Sequence, residues 1–279
     1  MKSSRPSPNR RAGTKYLHPA GAFSIAMRQL ASRFGKELPA GPTFMIVGAM
    51  KAGTSTLHAT LTQHPEIFMT ARKELHAWDK PLPPSVASYQ MHFEGGRHLK
   101  LRGESTPSYA YHPATMERLA QYNPALKLIF IMRDPVKRAV SHINHSLRIR
   151  KLTGRAFFDE LLEDQRDISR HDVKPFRTSP YGYHARGLYH LQISRMRRHF
   201  DAAQIHLLRL EDFNAAPQQE IDRICDFLGA GRQVLSVENK GVKTYDPPSP
   251  ELIAYLSSYY RLPNRILAED FGVKVDDWL

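Results

Sequence analysis

An apolar run, Phe44–Val47, leads into a loop carrying Gly48 and Gly53, and Thr54 opens a helix-compatible stretch. A strand, a glycine-bearing loop and a helix N-terminus in that order turn backbone N–H groups and the helix dipole onto an anion. This pattern confines the chain to α/β architectures with a phosphate cradle at the end of a strand. The departure from the nucleotide-hydrolase pattern is as informative as the match. A Walker loop runs G-x-x-x-x-G-K-[ST], whereas here Gly53 is followed directly by Thr54 and the lysine stands inside the loop as Lys51. The loop is expected to bind phosphate through Lys51, Ala52, Gly53, Thr54, Ser55 and Thr56, with its cation placed for a different donor. A solvated loop lysine is the plain alternative for Lys51.

The second constraint is Leu126–Met132, a short apolar run bounded by Pro124 and Pro135 that reads as a buried parallel strand. A magnesium-dependent NTPase often ends such a strand with a metal-holding Asp. This one ends in Arg133-Asp134-Pro135 and continues into a helical stretch with Lys137, Arg138 and Ser141. A guanidinium at the C-terminal edge of a parallel sheet is a fork for phosphate oxygens, and ligands of open α/β sheets lie along that edge. Two anion sites without an obvious metal carboxylate suit a nucleotide phosphorylated at two places. A surface salt bridge to Asp134 is the alternative for Arg133.

Several segments together resemble the sulfotransferase superfamily that uses 3′-phosphoadenosine 5′-phosphosulfate (PAPS), and within it the heparan-sulfate and related glycan branch. They are Ile46–Leu57 followed by His64-Pro65, Lys73-Glu-Leu-His76, and Gly103-Glu-Ser-Thr-Pro-Ser-Tyr109. The likeness continues through Asn123-Pro124, Leu128–Pro135 with Ser141, Gly187-Leu-Tyr189 and Asn239-Lys-Gly241, in family order, over roughly residues 43–245. The resemblance implies a P-loop-like three-layer α/β fold, a central parallel sheet flanked by helices. It also implies PAPS as co-substrate, 3′-phosphoadenosine 5′-phosphate as product, and no metal requirement.

By the same resemblance Arg133 and Ser141 clamp the 3′-phosphate, and Lys240 and Gly241 belong to a late loop that folds over the nucleotide. Lys51 and the amides of Gly53–Thr56 would hold the 5′-phosphate, where charge grows as the sulfuryl group departs. Glu74 matches the branch's catalytic base and His76 its assistant; the plain alternative is an exposed charged loop. Two departures stand out. Val242 intervenes before Lys243 where the family continues with arginine, and Ser105 replaces a lysine near the reacting centre, with Arg102 and Lys100 as candidate substitutes. Glu104 and Ser105 are expected to line the cleft.

The chain of 279 residues carries a net charge of +13, unevenly spread. Lys2, Arg5, Arg10, Arg11, Lys15, Arg28, Arg33 and Lys36 face only Glu37 in residues 1–40. That segment reads as a flexible basic arm with a helix-compatible stretch, Ala22–Phe34, for docking or peripheral membrane contact. Residues 41–279 read as one domain. No apolar run approaches the ~20 residues of a membrane-spanning helix. The single cysteine, Cys225, excludes an intramolecular disulfide and suits a reducing compartment. The family's animal members are Golgi-membrane proteins; the expectation here is a cytoplasmic, bacterial-type relative.

Beyond the strands above, Glu66–Met69, Lys100–Glu104 and Gln204–Leu210 read as strands. Helices are expected over Ser55–Gln63, Ala114–Gln121, Val136–Arg150, Phe157–Ile168, Tyr183–Phe200, Pro217–Leu228, Glu251–Tyr260 and Asn264–Glu269. Asp159, Glu160, Glu163 and Asp164 read as a solvated acidic helix face. Tyr109, Tyr111, Tyr181, Tyr183 and Tyr189 offer stacking faces for sugars or line a core. The expected function is transfer of sulfate to a hydroxyl, with an amine less favoured, of a glycan or glycolipid-like acceptor. The alternatives are a small-molecule or lipid acceptor, a P-loop kinase or NTPase, and a nucleic-acid-binding module acting through the basic arm. No specific nucleic acid partner is expected.

Overall fold

The computed structural model describes residues 41–81, 83–150, 182–238 and 248–278. The segments read from sequence as a basic arm, as a helix over 157–168 with its acidic residues, and as a late loop with Lys240, Gly241 and Lys243, together with Tyr181, lie outside the described residues. Among the described residues, five strands form one parallel sheet in the order β2-β3-β1-β4-β5: β1 Phe44–Gly48, β2 Ile67–Met69, β3 Leu101–Ser105, β4 Lys127–Met132 and β5 Ile205–Arg209.

Alternation along the central strands builds the layers. Met45, Val47, Leu128, Phe130 and Met132 face one apolar cluster, while Phe44, Ile46, Ile129 and Ile131 face another. Successive side chains of a strand point to opposite faces, so a sheet apolar on both faces must be covered on both. The first face is covered by α3 (Pro113–Tyr122), α5 (Tyr189–Arg197) and the end of α8 (Pro250–Phe271). On the second lie α1 (Thr54–Leu61) and α7 (Pro217–Leu228). This is the three-layer α/β fold read from the sequence. A short helix α2 (Val86–Gln90), a 3₁₀ turn at Met91–Gly96, and α6 (Leu210–Ala215) fall in stretches read as connections.

Packing of side chains within the sheet rests partly on Gly103 of β3, where an added Cβ would lie 2.3 Å from Phe44 Cζ of β1 and 2.8 Å from Met69 Sδ of β2. Phe44 is wholly buried and has nowhere to move. Gly103→Ala is therefore expected to cost about 1–3 kcal/mol of stability by overpacking. Urea unfolding checks this; an unchanged midpoint would show that the Phe44 ring can yield.

Two expectations need correction. Tyr183–Phe200 is not one helix: a 3₁₀ turn at Ala185–Gly187 is separated from α5 by Leu188, at φ −80°, ψ 69°. Carbonyls that a continuous helix would keep for its own amides are taken by side chains. The Tyr260 hydroxyl donates to His184 O at 2.9 Å and Tyr183 O at 3.3 Å, and the Arg138 guanidinium donates to Tyr183 O. Conversely, Glu251–Tyr260 and Asn264–Glu269 are parts of the single helix α8, which runs through Pro263. Proline removes an N–H and strains a helix interior. Here Leu256, Tyr260, Asn264 and Leu267 form one buried stripe on both sides of it, and packing prevails.

The chain leaves β1 toward β2 on one side and β4 toward β5 on the other, so β1 and β4 flank the topological switch point. In open α/β sheets that point, at the carboxyl ends of the strands, is where ligands bind. The loops after β1, β3 and β4 converge there. Helix α4 (Pro135–Arg150), which follows β4, is held by Val136, Ala139 and Val140 packing on Leu188, Leu256 and Tyr260.

Candidate active site

The loop after β1 is anchored by Ala49 N donating to Ile131 O at 2.7 Å and closed by Ala52 N donating to Ala49 O at 3.2 Å. Lys51 (φ 70°) and Gly53 (φ 94°) are left-handed, a geometry that in tight loops turns successive amides into an anion-binding concavity. Gly53 serves as N-cap of α1 without a capping side chain, and no acid sits in the first turn. The orphan amides of that helix end are thus left for a ligand. Thr54 and Thr56 are buried and Ser55 is exposed. This donor set fits a phosphate group.

Across from the cradle, the chain leaving β2 continues along β3, with Glu74 N donating to Ser105 O at 2.9 Å. Lys73 Nζ bridges the two parts, donating to Glu74 Oε1 at 2.9 Å and Thr54 Oγ1 at 3.4 Å. Glu74 Oε2 lies 3.6 Å from His76 Nε2, and His76 Nδ1 lies 2.8 Å from Asp79 Oδ2. Ser108 Oγ donates to the same Asp79 oxygen. The result is a row: Lys73, Glu74, His76, Asp79, Ser108.

The charges in this row reinforce one another. The His76 contact, assisted by Lys73 and opposed by partial burial, pulls the Glu74 carboxyl down to about 2. The Asp79 hydrogen bond, then that of Glu74, raises His76 to about 9. At neutral pH the row is therefore carboxylate, imidazolium, carboxylate. On α1, burial and then Lys73 push His58 down to about 4, so it stays neutral. Beside His76 a pocket opens, lined by Leu75, Ala77, Lys80, Ser88, Tyr89 and His92.

At the end of β4, the Tyr189 hydroxyl donates to Arg133 O at 2.7 Å. Asp134 is committed to the start of α4: its Oδ1 accepts from Val136 N at 2.8 Å and Lys137 N at 3.3 Å, and Lys137 Nζ lies 3.6 Å from Oδ2. The salt bridge weighed for Arg133 with Asp134 is not formed. Ser141 lies on α4, partly exposed, and six residues of helix place it about 9 Å along the axis from Pro135. Its neighbour His142 is held well below its usual range by burial, then by Arg138, Arg186 and Lys51. Arg138, Arg186 and Lys51 thus lie close enough to this part of α4 to oppose a further positive charge.

Several residues named from sequence are placed elsewhere. Arg102 does not replace the missing lysine at position 105: Nε donates to Gly41 O at 3.0 Å and Nη1 to Leu99 O, at the opposite end of β3, and Lys100 lies beyond it. Lys73 is the cation that occupies the space between cradle and base. Glu104 and Ser105 do not line an open cleft; both are fully buried. Tyr109, Tyr111, Tyr183 and Tyr189 are buried too, so they offer no stacking face. Sequence reading missed Asp79 and Ser108. The signal for Asp79 was a second carboxylate three residues after His76; for Ser108 it was only its place in the Gly103–Tyr109 segment, which gives no hint of the Asp79 partner.

The sulfotransferase domain model matches residues 42–240. Membrane-associated sulfotransferase kil1 of Dictyostelium discoideum is 24% identical, over 81% of this chain and 64% of its own. Heparan sulfate glucosamine 3-O-sulfotransferase 6 of Homo sapiens is 28% identical, over 69% of this chain and 54% of its own. The chain thus spans roughly half to two thirds of the length of these curated relatives. The crystal structure of a sulfotransferase from Alicyclobacillus acidocaldarius superimposes with a TM-score of 0.73 at 27% identity, covering 86% of this chain and 99% of that one. Among the described residues, no helix is long and apolar enough to cross a membrane.

Proposed function

This chain belongs to the sulfotransferase domain family, and from that premise we propose that it moves the sulfuryl group of PAPS to a hydroxyl of a glycan or glycolipid-like acceptor. The observation that carries the reading is the Lys73–Glu74–His76–Asp79 row set directly against the Thr54 end of the phosphate cradle. The donor would supply a sulfur already activated by a phosphate leaving group. Lys51 and the amides at the start of α1 would hold the 5′-phosphate and meet the charge that gathers there. Arg133 and Ser141 would hold the 3′-phosphate, and Lys240 with Gly241, by family resemblance, would close over the nucleotide.

Glu74 would accept the proton of the acceptor hydroxyl. Its carboxylate is ionised at any physiological pH, so no prior deprotonation is needed. Its low proton affinity is suited to a proton that becomes acidic only as the oxygen commits to sulfur. Asp79 would keep His76 protonated and oriented, and His76 and Lys73 together would hold Glu74 toward the cleft. The pocket beside His76 supplies room for the acceptor. Its mixture of Lys80, His92, Ser88 and the Tyr89 ring supports a polyhydroxylated, anion-bearing molecule over a purely apolar one.

The test is incubation of the chain with radiolabelled donor and a panel of cell-envelope glycans, glycolipids, small phenols and lipids in the presence of a metal chelator. Label is expected in the glycan or glycolipid fraction. Label confined to phenols or simple lipids would overturn the acceptor assignment. Transfer from ATP instead of PAPS would overturn the reaction.

A further inference from the structure

Glu104 is fully buried at the end of β3, and no described cation pairs with it. Three hydroxyls satisfy it instead: Tyr89 at 2.5 Å and Tyr109 at 3.1 Å on Oε1, and Thr106 at 2.9 Å on Oε2. A buried carboxyl without a cation is a costly choice where an apolar side chain would pack. Burial raises it to about 7, which exposes that cost. The arrangement therefore calls for a purpose other than stability.

Its outward connection is the Tyr109 hydroxyl. While donating to Glu104, that oxygen accepts from Ala77 N at 3.0 Å. Ala77 directly follows His76, and on the other side Glu74 N is tied to Ser105 O, the residue after Glu104. Between these two stitches Glu74 (φ 61°) and His76 (φ 50°) are both left-handed. Non-glycine residues hold that conformation only where their surroundings over-determine it, and such residues cluster at functional sites.

We propose that Glu104 is a positioning residue: through the Tyr109 hydroxyl it pins the backbone after His76, and so holds the loop that presents Glu74 and His76 to the cleft. The inference rests on the catalytic reading of Glu74 and His76, but the tether itself can be tested without turnover. Tyr109→Phe deletes the hydroxyl and keeps the ring, leaving Ala77 N without its acceptor. Glu104→Ala removes the anchor. Glu104→Gln keeps a carbonyl oxygen for Tyr89 and Tyr109, and Thr106 can rotate to accept from its amide.

The readout is the His76 imidazole, followed by NMR on histidine-labelled protein. The groups facing it are Glu74 and Asp79, with Ser108 at 3.4 Å and the His112 ring nearby. In the wild type His76 should titrate near 9. In Tyr109→Phe it should fall by about one unit or more as its two carboxylate partners loosen, with affinity for adenosine 3′,5′-bisphosphate unchanged. Glu104→Gln should titrate like the wild type. A folded Tyr109→Phe whose His76 titrates as in the wild type overturns the proposal, whether or not Glu104→Ala folds. Failure of the catalytic reading would appear elsewhere, as full transfer activity in Glu74→Gln with the tether intact.

Discussion

Glu74→Gln should bind the desulfated nucleotide as the wild type does and lose sulfuryl transfer by about 10²-fold or more. The amide is close in shape to the carboxylate and can still accept from Lys73, so the fold and the cradle have no reason to change. What it cannot do is take a proton. The substitution also has an electrostatic effect: with the carboxylate gone, His76 loses the second of the two partners that raise it, while Asp79 still holds Nδ1 at 2.8 Å. Transfer kinetics with saturating donor, beside calorimetry of nucleotide binding, shows whether the loss lies in transfer and not in nucleotide affinity. Full activity in this variant would remove Glu74 from the mechanism.

Lys51→Ala should lower turnover by about 10²–10³-fold, the usual cost of losing one donor aimed at developing charge in an active site. Lys51 sits at the turn of the cradle in a left-handed conformation, close enough to α4 to depress the His142 imidazole. Nucleotide affinity should fall as well, because the same ammonium meets the 5′-phosphate in the ground state. The larger loss is expected in turnover, since the phosphate gains charge only as its bond to sulfur breaks. Lys51→Arg tests placement against charge: a bulkier cation in a loop closed by the Ala52–Ala49 hydrogen bond should restore affinity more than rate. Equal losses in both would mean that Lys51 binds without assisting the chemistry.

The fold was legible where local pattern and tertiary packing agree. The strand segments Phe44–Val47 and Leu128–Met132 are apolar throughout because both faces of a central parallel strand are covered, and the cradle announces itself through Gly48 and Gly53. It was illegible where a distant side chain decides. Tyr260 takes the carbonyls that would have continued a helix through Leu188, and the stripe from Leu256 to Leu267 carries α8 past Pro263. In the site, Glu74 and His76 could be named from their spacing. Their partnership with Asp79 depends on two left-handed residues that no propensity favours. The Glu104–Tyr109–Ala77 link joins a strand end, a turn and the base loop; only the fold brings those together.

The central claim is that two separated cationic sites grip opposite ends of an adenosine bisphosphate without a divalent ion. Calorimetric titration of wild type, Lys51→Ala and Arg133→Ala with adenosine 3′,5′-bisphosphate, in excess chelator, tests it most directly. Each substitution should weaken binding by about 10–100-fold, the worth of a charged hydrogen-bonding group. Binding that appears only when magnesium is restored, or that ignores both substitutions, would contradict the account.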